Sequence, residues 1–321
     1  MMSLPSRGAI GLASGVLAGV VSAGLFGVAF TRAETMLVFL AYLSAVPLFM
    51  AGLGSGIVSG ALAALIGIAG LVTLRPLDFS LFYAIVMGLP AAGLIVIALY
   101  KPVNAETTAE GNMLTAITLY PCVIFLAVVA AVSGTPGGLL GLTTDAMITA
   151  GSAYKDALDT DTYAWFLTTI KGVAKMLPGA LGLCWMFIML LSAVVAQASL
   201  AQQKWNLRPS FALKDVCIPN WLVFAAAITG LAGAFAPAPY NYVGTNICVM
   251  LFVPFFLVGL AVVHAWAATT KARVWILVVF YILLSLPWTM VFAAVATLLL
   301  GIVDQWVNFR QRFAVGVKKG E

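Results

Sequence analysis

The chain has 321 residues, of which 63% are hydrophobic and only 8% charged, with 16 Lys and Arg against 11 Asp and Glu. Its mean hydropathy is +1.09. Soluble domains carry about 25% charged residues, so most of this surface must meet lipid rather than water. Short segments of alternating polarity would mark a β-barrel. The apolar runs here are continuous and about 20 residues long. The expectation is an all-α polytopic transmembrane bundle, one domain over residues 1–321, with eight full spans and a proline-broken C-terminal helical hairpin.

The first apolar run, Ala9–Phe30, follows a segment whose one basic residue is Arg7. It is too long for a signal-peptide core and leads to no cleavage site followed by soluble sequence, so it is expected as a retained helix. Met36–Leu53, Gly56–Leu74, Leu81–Leu99 and Met113–Ser133 come next, on short connections. Residues 134–175 then form the one long connection. Asp145, Asp156, Asp159 and Asp161 in it outnumber Lys155, Lys171 and Lys175. Within it Tyr163, Phe166, Leu167, Ile170, Ala174 and Leu177 recur at helical spacing, opposite Asp161, Thr168, Lys171 and Lys175. This reads as an amphipathic helix in an extracytoplasmic loop, either a lid over a cavity or an interfacial connector.

Met176–Leu200, Asn220–Phe235 and Val243–Ala268 complete the eight runs, and Val274–Val303 is interrupted at Pro287. With the N-terminus inside, short loops place Arg7, Lys101, Lys204, Arg208, Lys214, Lys271 and Arg273 in the cytoplasm, against Arg32 and Arg75 outside. That bias favours a cytoplasmic N-terminus. A hairpin turning at Pro287–Trp288 would return Arg310, Arg312, Lys318 and Lys319 to the same side, making 304–321 a basic cytoplasmic tail. Its arms, Val274–Leu286 and Thr289–Val303, would be roughly 20–22 Å long, short for a core of about 30 Å.

Gly11, Gly15, Gly19, Ala23 and Gly27 recur every fourth residue in the first run. Such a stripe lets helix backbones approach closely in lipid. It serves either packing within the bundle or docking of another membrane protein. Gly52, Gly56, Gly60 and Ala64 suggest the same device in the third helix. The sole histidine, His264, has no Cys, His or carboxylate companions, so a hydrogen-bonding role is favoured over metal binding. Cys122, Cys184, Cys217 and Cys248 form no C-x-x-C pair and read as small apolar residues. Tyr240, Asn241, Tyr242 and Asn246 occupy a proline-rich turn. Either they edge an outward-facing pocket roofed by Tyr163 and Phe166, or Thr245 or Asn246 caps a helix start. Neither paired intramembrane carboxylates nor a nucleotide loop is present, so no catalysis, cofactor or metal is expected. The net charge of +5 follows from basic residues at helix ends and calls for no nucleic acid.

Asn246-Ile-Cys-Val-Met-Leu-Phe, Gly259-Leu-Ala-Val-Val-His264, the basic break at Lys271 and Arg273, and Gly301-Ile-Val-Asp304-Gln-Trp306-Val-Asn-Phe-Arg310 are distinctive. The chain from Asn246 onward resembles the YybS-like family of bacterial integral membrane proteins of unknown function. That resemblance implies a bacterial inner-membrane location. It further implies a distant likeness to the substrate-binding S components of energy-coupling factor transporters. Two functions are the resulting expectations. One is a small-molecule capture or transport module driven by separate ATPase partners. The other is a non-transporting scaffold or assembly factor that binds membrane proteins through the glycine stripe.

Overall fold

The computed structural model describes residues 7–30, 38–100, 108–209 and 216–318. Arg32, Lys101, Lys214 and Lys319, which enter the orientation argument, lie outside the described residues, as do the side chains of Arg7 and Lys318. Every described element is helical. They are α1 (Arg7–Ala29), α2 (Val38–Leu43), α3 (Ala45–Ser55), α4 (Ile57–Leu74), α5 (Leu77–Tyr83), α6 (Leu89–Leu99), α7 (Ala109–Ala131), α8 (Gly138–Gly151), α9 (Thr160–Ala174), α10 (Leu177–Gln202), α11 (Trp221–Phe235), α12 (Tyr240–Ala268), α13 (Arg273–Ser285), α14 (Pro287–Val307) and α15 (Phe309–Lys318). A π turn, Ala84–Gly88, joins α5 to α6 in one continuous helix.

Among the described residues, seven helices are long and apolar enough to cross a membrane. The expected count was eight full spans. Among the described residues the helices of the second and seventh runs fall short of that length, and each has an identifiable end. The second stops at Gly56, whose φ of 106° belongs to glycine and cannot continue a helix. The seventh stops at Ala236, held extended at ψ 151° ahead of Pro237. At the C-terminal break, Leu286 is extended (φ −81°, ψ 126°) and Pro287 opens α14. The hairpin arms are unequal: α13 has 13 residues and α14 has 21, so α14 is of spanning length alone.

The chain divides into two compact units, Met1–Ile117 with Met186–Cys217, and Thr118–Trp185 with Ile218–Glu321. In the first, Gly11, Gly15, Gly19, Ala23 and Gly27 are all buried, and their face of α1 lies on α4. A methyl group at Gly15 would stand 2.8 Å from the Ser59 carbonyl oxygen, and one at Gly19 2.5 Å from that of Ala63. Hydroxyls tie this crossing together. Ser59 donates to the Gly11 carbonyl at 2.8 Å, and Ser14 Oγ lies 3.0 Å from Ser55 Oγ. Gly52, Gly56 and Gly60 do not form one stripe on one helix, as the sequence suggested. Gly56 is the hinge, and Gly52 on α3 meets Gly60 on α4 beneath Ile95. Further along α1, Ser22 donates to the Ser44 carbonyl at 2.6 Å and pairs with the Tyr83 hydroxyl at 2.7 Å. The π turn follows Tyr83 directly, and such turns mark local constraints on a helix.

In the second unit α12 is the most buried of the long helices. Small residues let α11 and α14 approach it. A methyl group at Gly244 would meet Gly233 N at 2.6 Å. Gly259 faces the Thr297 carbonyl and Gly301 the Phe255 carbonyl, each too near for any Cβ. Beyond this crossing, Asp304 is wholly buried and receives the Arg310 Nε at 2.6 Å and the Arg310 backbone N–H at 3.3 Å. One carboxylate therefore pairs a buried guanidinium and caps the first turn of α15, while Asn308 makes the left-handed bend between the helices (φ 54°).

Candidate binding site

In the second unit α8 packs on α9, and Asn246 joins the starts of α10 and α12. Gly137, with φ 73°, admits the chain into α8, a helix that the sequence does not single out within the long connection. Asp159 opens α9: its carboxylate accepts from the backbone N–H of Asp161 and Thr162, at 3.1 and 3.0 Å, and from the Thr162 hydroxyl at 2.6 Å. Those bonds favour the charged form, the Thr162 hydroxyl most of all, and hold the carboxyl below its ordinary pKa. A helix occupies the stretch where an amphipathic one was expected. Ile170 and Ala174 are buried, while Asp161, Thr168 and Lys171 are exposed. It runs Thr160–Ala174, a few residues earlier than Tyr163–Leu177. Gly151 of α8 packs on Phe166 and Ile170, and the Tyr154, Phe166 and Tyr163 rings form a chain with 6.2 Å centroid separations.

Asn246 is completely buried, and its amide is fully engaged between two helices. Its oxygen accepts from Gly179 N–H at 2.7 Å, and its nitrogen donates to the carbonyls of Lys175 and Tyr242 at 2.9 and 2.8 Å. The first turn of α10 has free N–H groups, and Pro178 cannot supply one. Asn246 therefore caps α10 from the side. It does not begin its own helix, because α12 already starts at Tyr240.

Tyr242 lies one turn earlier. Its ring meets Phe125 of α7 edge-on at 6.0 Å. Its hydroxyl is enclosed and makes no hydrogen bond of normal geometry, although the Thr143 side chain is beside it. Thr143 directs its own proton to the Leu139 and Leu140 carbonyls, at 2.9 and 3.1 Å. An enclosed hydroxyl left unbonded costs about 1–3 kcal/mol, so such groups call for an explanation.

The six residues expected at a pocket are therefore dispersed. Tyr242 and Asn246 point into the unit, whereas Tyr240 and Asn241 are exposed, the former at 66%. Tyr163 and Phe166 belong to the α8–α9 cluster. Among the described contacts, no ring pair or hydrogen bond joins them to the α12 residues. Phe125 and Thr143 flank Tyr242 and were not singled out from the sequence. Nothing distinguishes one Phe in a span or one Thr in a loop without its neighbours.

His264 Nδ1 lies 2.8 Å from the Leu260 carbonyl, which only accepts, so that nitrogen carries the proton. Nε2 then faces the Tyr281 hydroxyl at 3.3 Å, a link between α12 and α13. Among the described residues no three His, Cys, Asp or Glu side chains gather as a metal site would require. Cys122 and Cys248 are buried, and Cys122 Sγ lies 3.7 Å from Met250 Sδ.

The model of a family described as Predicted membrane protein (DUF2232) matches residues 20–305, most of the chain, in keeping with the YybS-like resemblance. No curated protein and no solved structure matches. The likeness to S components therefore stands on the sequence resemblance alone.

Proposed function

The chain belongs to the DUF2232 family of predicted membrane proteins, and we propose that it is a membrane-embedded capture module for a small, largely apolar molecule. The molecule carries one hydrogen-bonding group that meets Tyr242. The observation that carries this reading is the enclosed Tyr242 hydroxyl, which lies between the Phe125 ring and Thr143 and makes no hydrogen bond of normal geometry. A mostly apolar lining with one or two well-placed polar groups is how small-molecule sites are commonly built. The role is binding without chemistry. Transport, where it occurs, is driven by a separate ATPase, in the manner of S components. Asn246 positions α10 against α12 and acts on the ligand only by holding that frame.

The competing scaffold reading relied on the α1 stripe. All five of its small residues are buried, and the face is occupied by α4, which weighs against docking there. The proposed setting is a bacterial inner membrane with both termini cytoplasmic, and a periplasm-only reporter fused after Glu321 should stay silent. The capture reading is tested by native mass spectrometry of protein extracted in mild detergent. A small molecule retained at one copy per chain, and reduced by Tyr242→Phe, is the expected result. Protein that carries none from its native membrane, whatever the extraction, counts against capture.

A further inference from the structure

A second feature of the same unit is independent of Tyr242. Although it touches both α12 and α14, α13 has no buried residue. Along it runs an open groove of about 610 Å³, walled by Val274, Leu277, Val278, Tyr281 and Leu286, with Arg273 at one end. Arg273 and its neighbour Lys271 are exposed, and among the described residues neither takes part in an ion pair. The Ser285 hydroxyl is already spent on the Tyr281 carbonyl at 2.8 Å, and the Tyr281 hydroxyl faces His264 Nε2 at 3.3 Å, so among the described residues here the cations are the charged feature that selects an occupant.

Length fixes where this groove sits. Thirteen residues of helix make about 20 Å, more than the roughly 15 Å of one hydrocarbon leaflet and less than the full ~30 Å core. Lys271 and Arg273, followed by Trp275 at 73% exposure, form a basic and aromatic girdle of the kind found at a membrane interface. With that end at headgroup level, the apolar wall runs down beside one lipid tail of the same leaflet. We infer that the α13 groove is a binding site for an anionic phospholipid, with its phosphate on Arg273 and Lys271 and one acyl chain along Val274–Leu286. A guanidinium matches a phosphate through paired N–H donors. The second cation sets the preference for anionic lipid, because Lys271 repels the choline of a zwitterionic headgroup.

The test titrates detergent-solubilised protein with phosphatidylglycerol or with phosphatidylcholine of the same acyl chains, and counts adducts by native mass spectrometry. The first phosphatidylglycerol should bind roughly tenfold more tightly than phosphatidylcholine. The preference should vanish in Lys271→Gln/Arg273→Gln. Val278→Trp fills the groove at an exposed position without touching the charges, and should weaken the first adduct of both lipids at unchanged thermal stability. Equal affinities in the unaltered protein would overturn the site. A preference that survives both variants would do the same, as would displacement of the lipid by millimolar inorganic phosphate.

Discussion

Tyr242→Phe removes a single oxygen and keeps the ring that meets Phe125 at 6.0 Å. Within the fold the enclosed hydroxyl makes no bond of normal geometry, so its removal takes away a penalty of about 1–3 kcal/mol. Thermal unfolding in detergent should therefore be unchanged or shifted upward. In the occupied protein the same change deletes one hydrogen bond worth about 0.5–1.5 kcal/mol, which is roughly a two- to tenfold loss of affinity. The two effects have opposite signs, and a purely structural tyrosine cannot produce both. Occupancy by native mass spectrometry and melting of ligand-stripped protein read them separately. A stripped Tyr242→Phe protein that melts clearly lower would mean that the hydroxyl is bonded to Thr143 within the fold, and the reasoning fails. Unchanged occupancy alongside higher stability would likewise remove the hydroxyl from the site.

Three other outcomes rest on the packing. Gly19→Leu drives a side chain into the Ala63 carbonyl and Ile66 and should cost about 1–3 kcal/mol or more in detergent unfolding, whereas Gly24→Leu, with nothing within 4 Å, should be silent. Equal behaviour of the two would refute the α1–α4 crossing. The depressed pKa of Asp159 stabilises α9 above the carboxyl's unfolded pKa, near 3.8, and that support disappears as pH falls through the lower folded value. Amide exchange at Asp161 and Thr162, corrected for intrinsic rate, should lose protection in that acid window in the native protein but not in Asp159→Asn, which keeps an oxygen acceptor at every pH. Asp304→Ala removes the carboxylate that pairs the buried Arg310 guanidinium and should destabilise by about 3–5 kcal/mol. Asp304→Leu/Arg310→Met should recover much of the loss, and failure to do so would assign the effect to the α15 cap rather than the charge.

The features legible in the sequence are those written locally. Hydropathy over 20-residue windows marks a helical membrane protein, and the 3.6-residue period of Tyr163, Phe166, Ile170 and Ala174 marks α9, because both signals repeat along the chain. The span count is harder, since it turns on where helices stop. Gly56 takes a conformation that its neighbours do not announce, and Pro287 gives the place of a break but not the length of the helix beyond it. The α1 stripe is legible as a close-packing face, but its occupant is not. Long-range pairs are the least visible: Asn246 caps a helix 67 residues away, and in the sequence it looks the same as an amide waiting for a ligand.

That ambiguity of Asn246 bears on how family and function separate in this chain. Among the residues that carry the resemblance are Asn246, Gly259, Gly301, Asp304 and Arg310. In the structure they close helix on helix: a lateral cap for α10, a two-glycine crossing of α12 with α14, and a buried ion pair that fixes α15. Such residues specify the frame of the second unit and leave the identity of a bound molecule to others. Phe125, Thr143 and Tyr242 lie outside that set and have side chains whose chemistry a ligand would feel. Thr143→Val changes one of them at nearly constant shape, removing a hydroxyl that donates to carbonyls of its own helix. The expected outcome is a fold as stable as the original within about 0.5 kcal/mol, the usual range for a change that breaks no essential contact, together with an altered set of retained molecules. Loss of stability without a change in what is retained would place Thr143 with the frame, and selectivity would then have to be sought elsewhere in the unit.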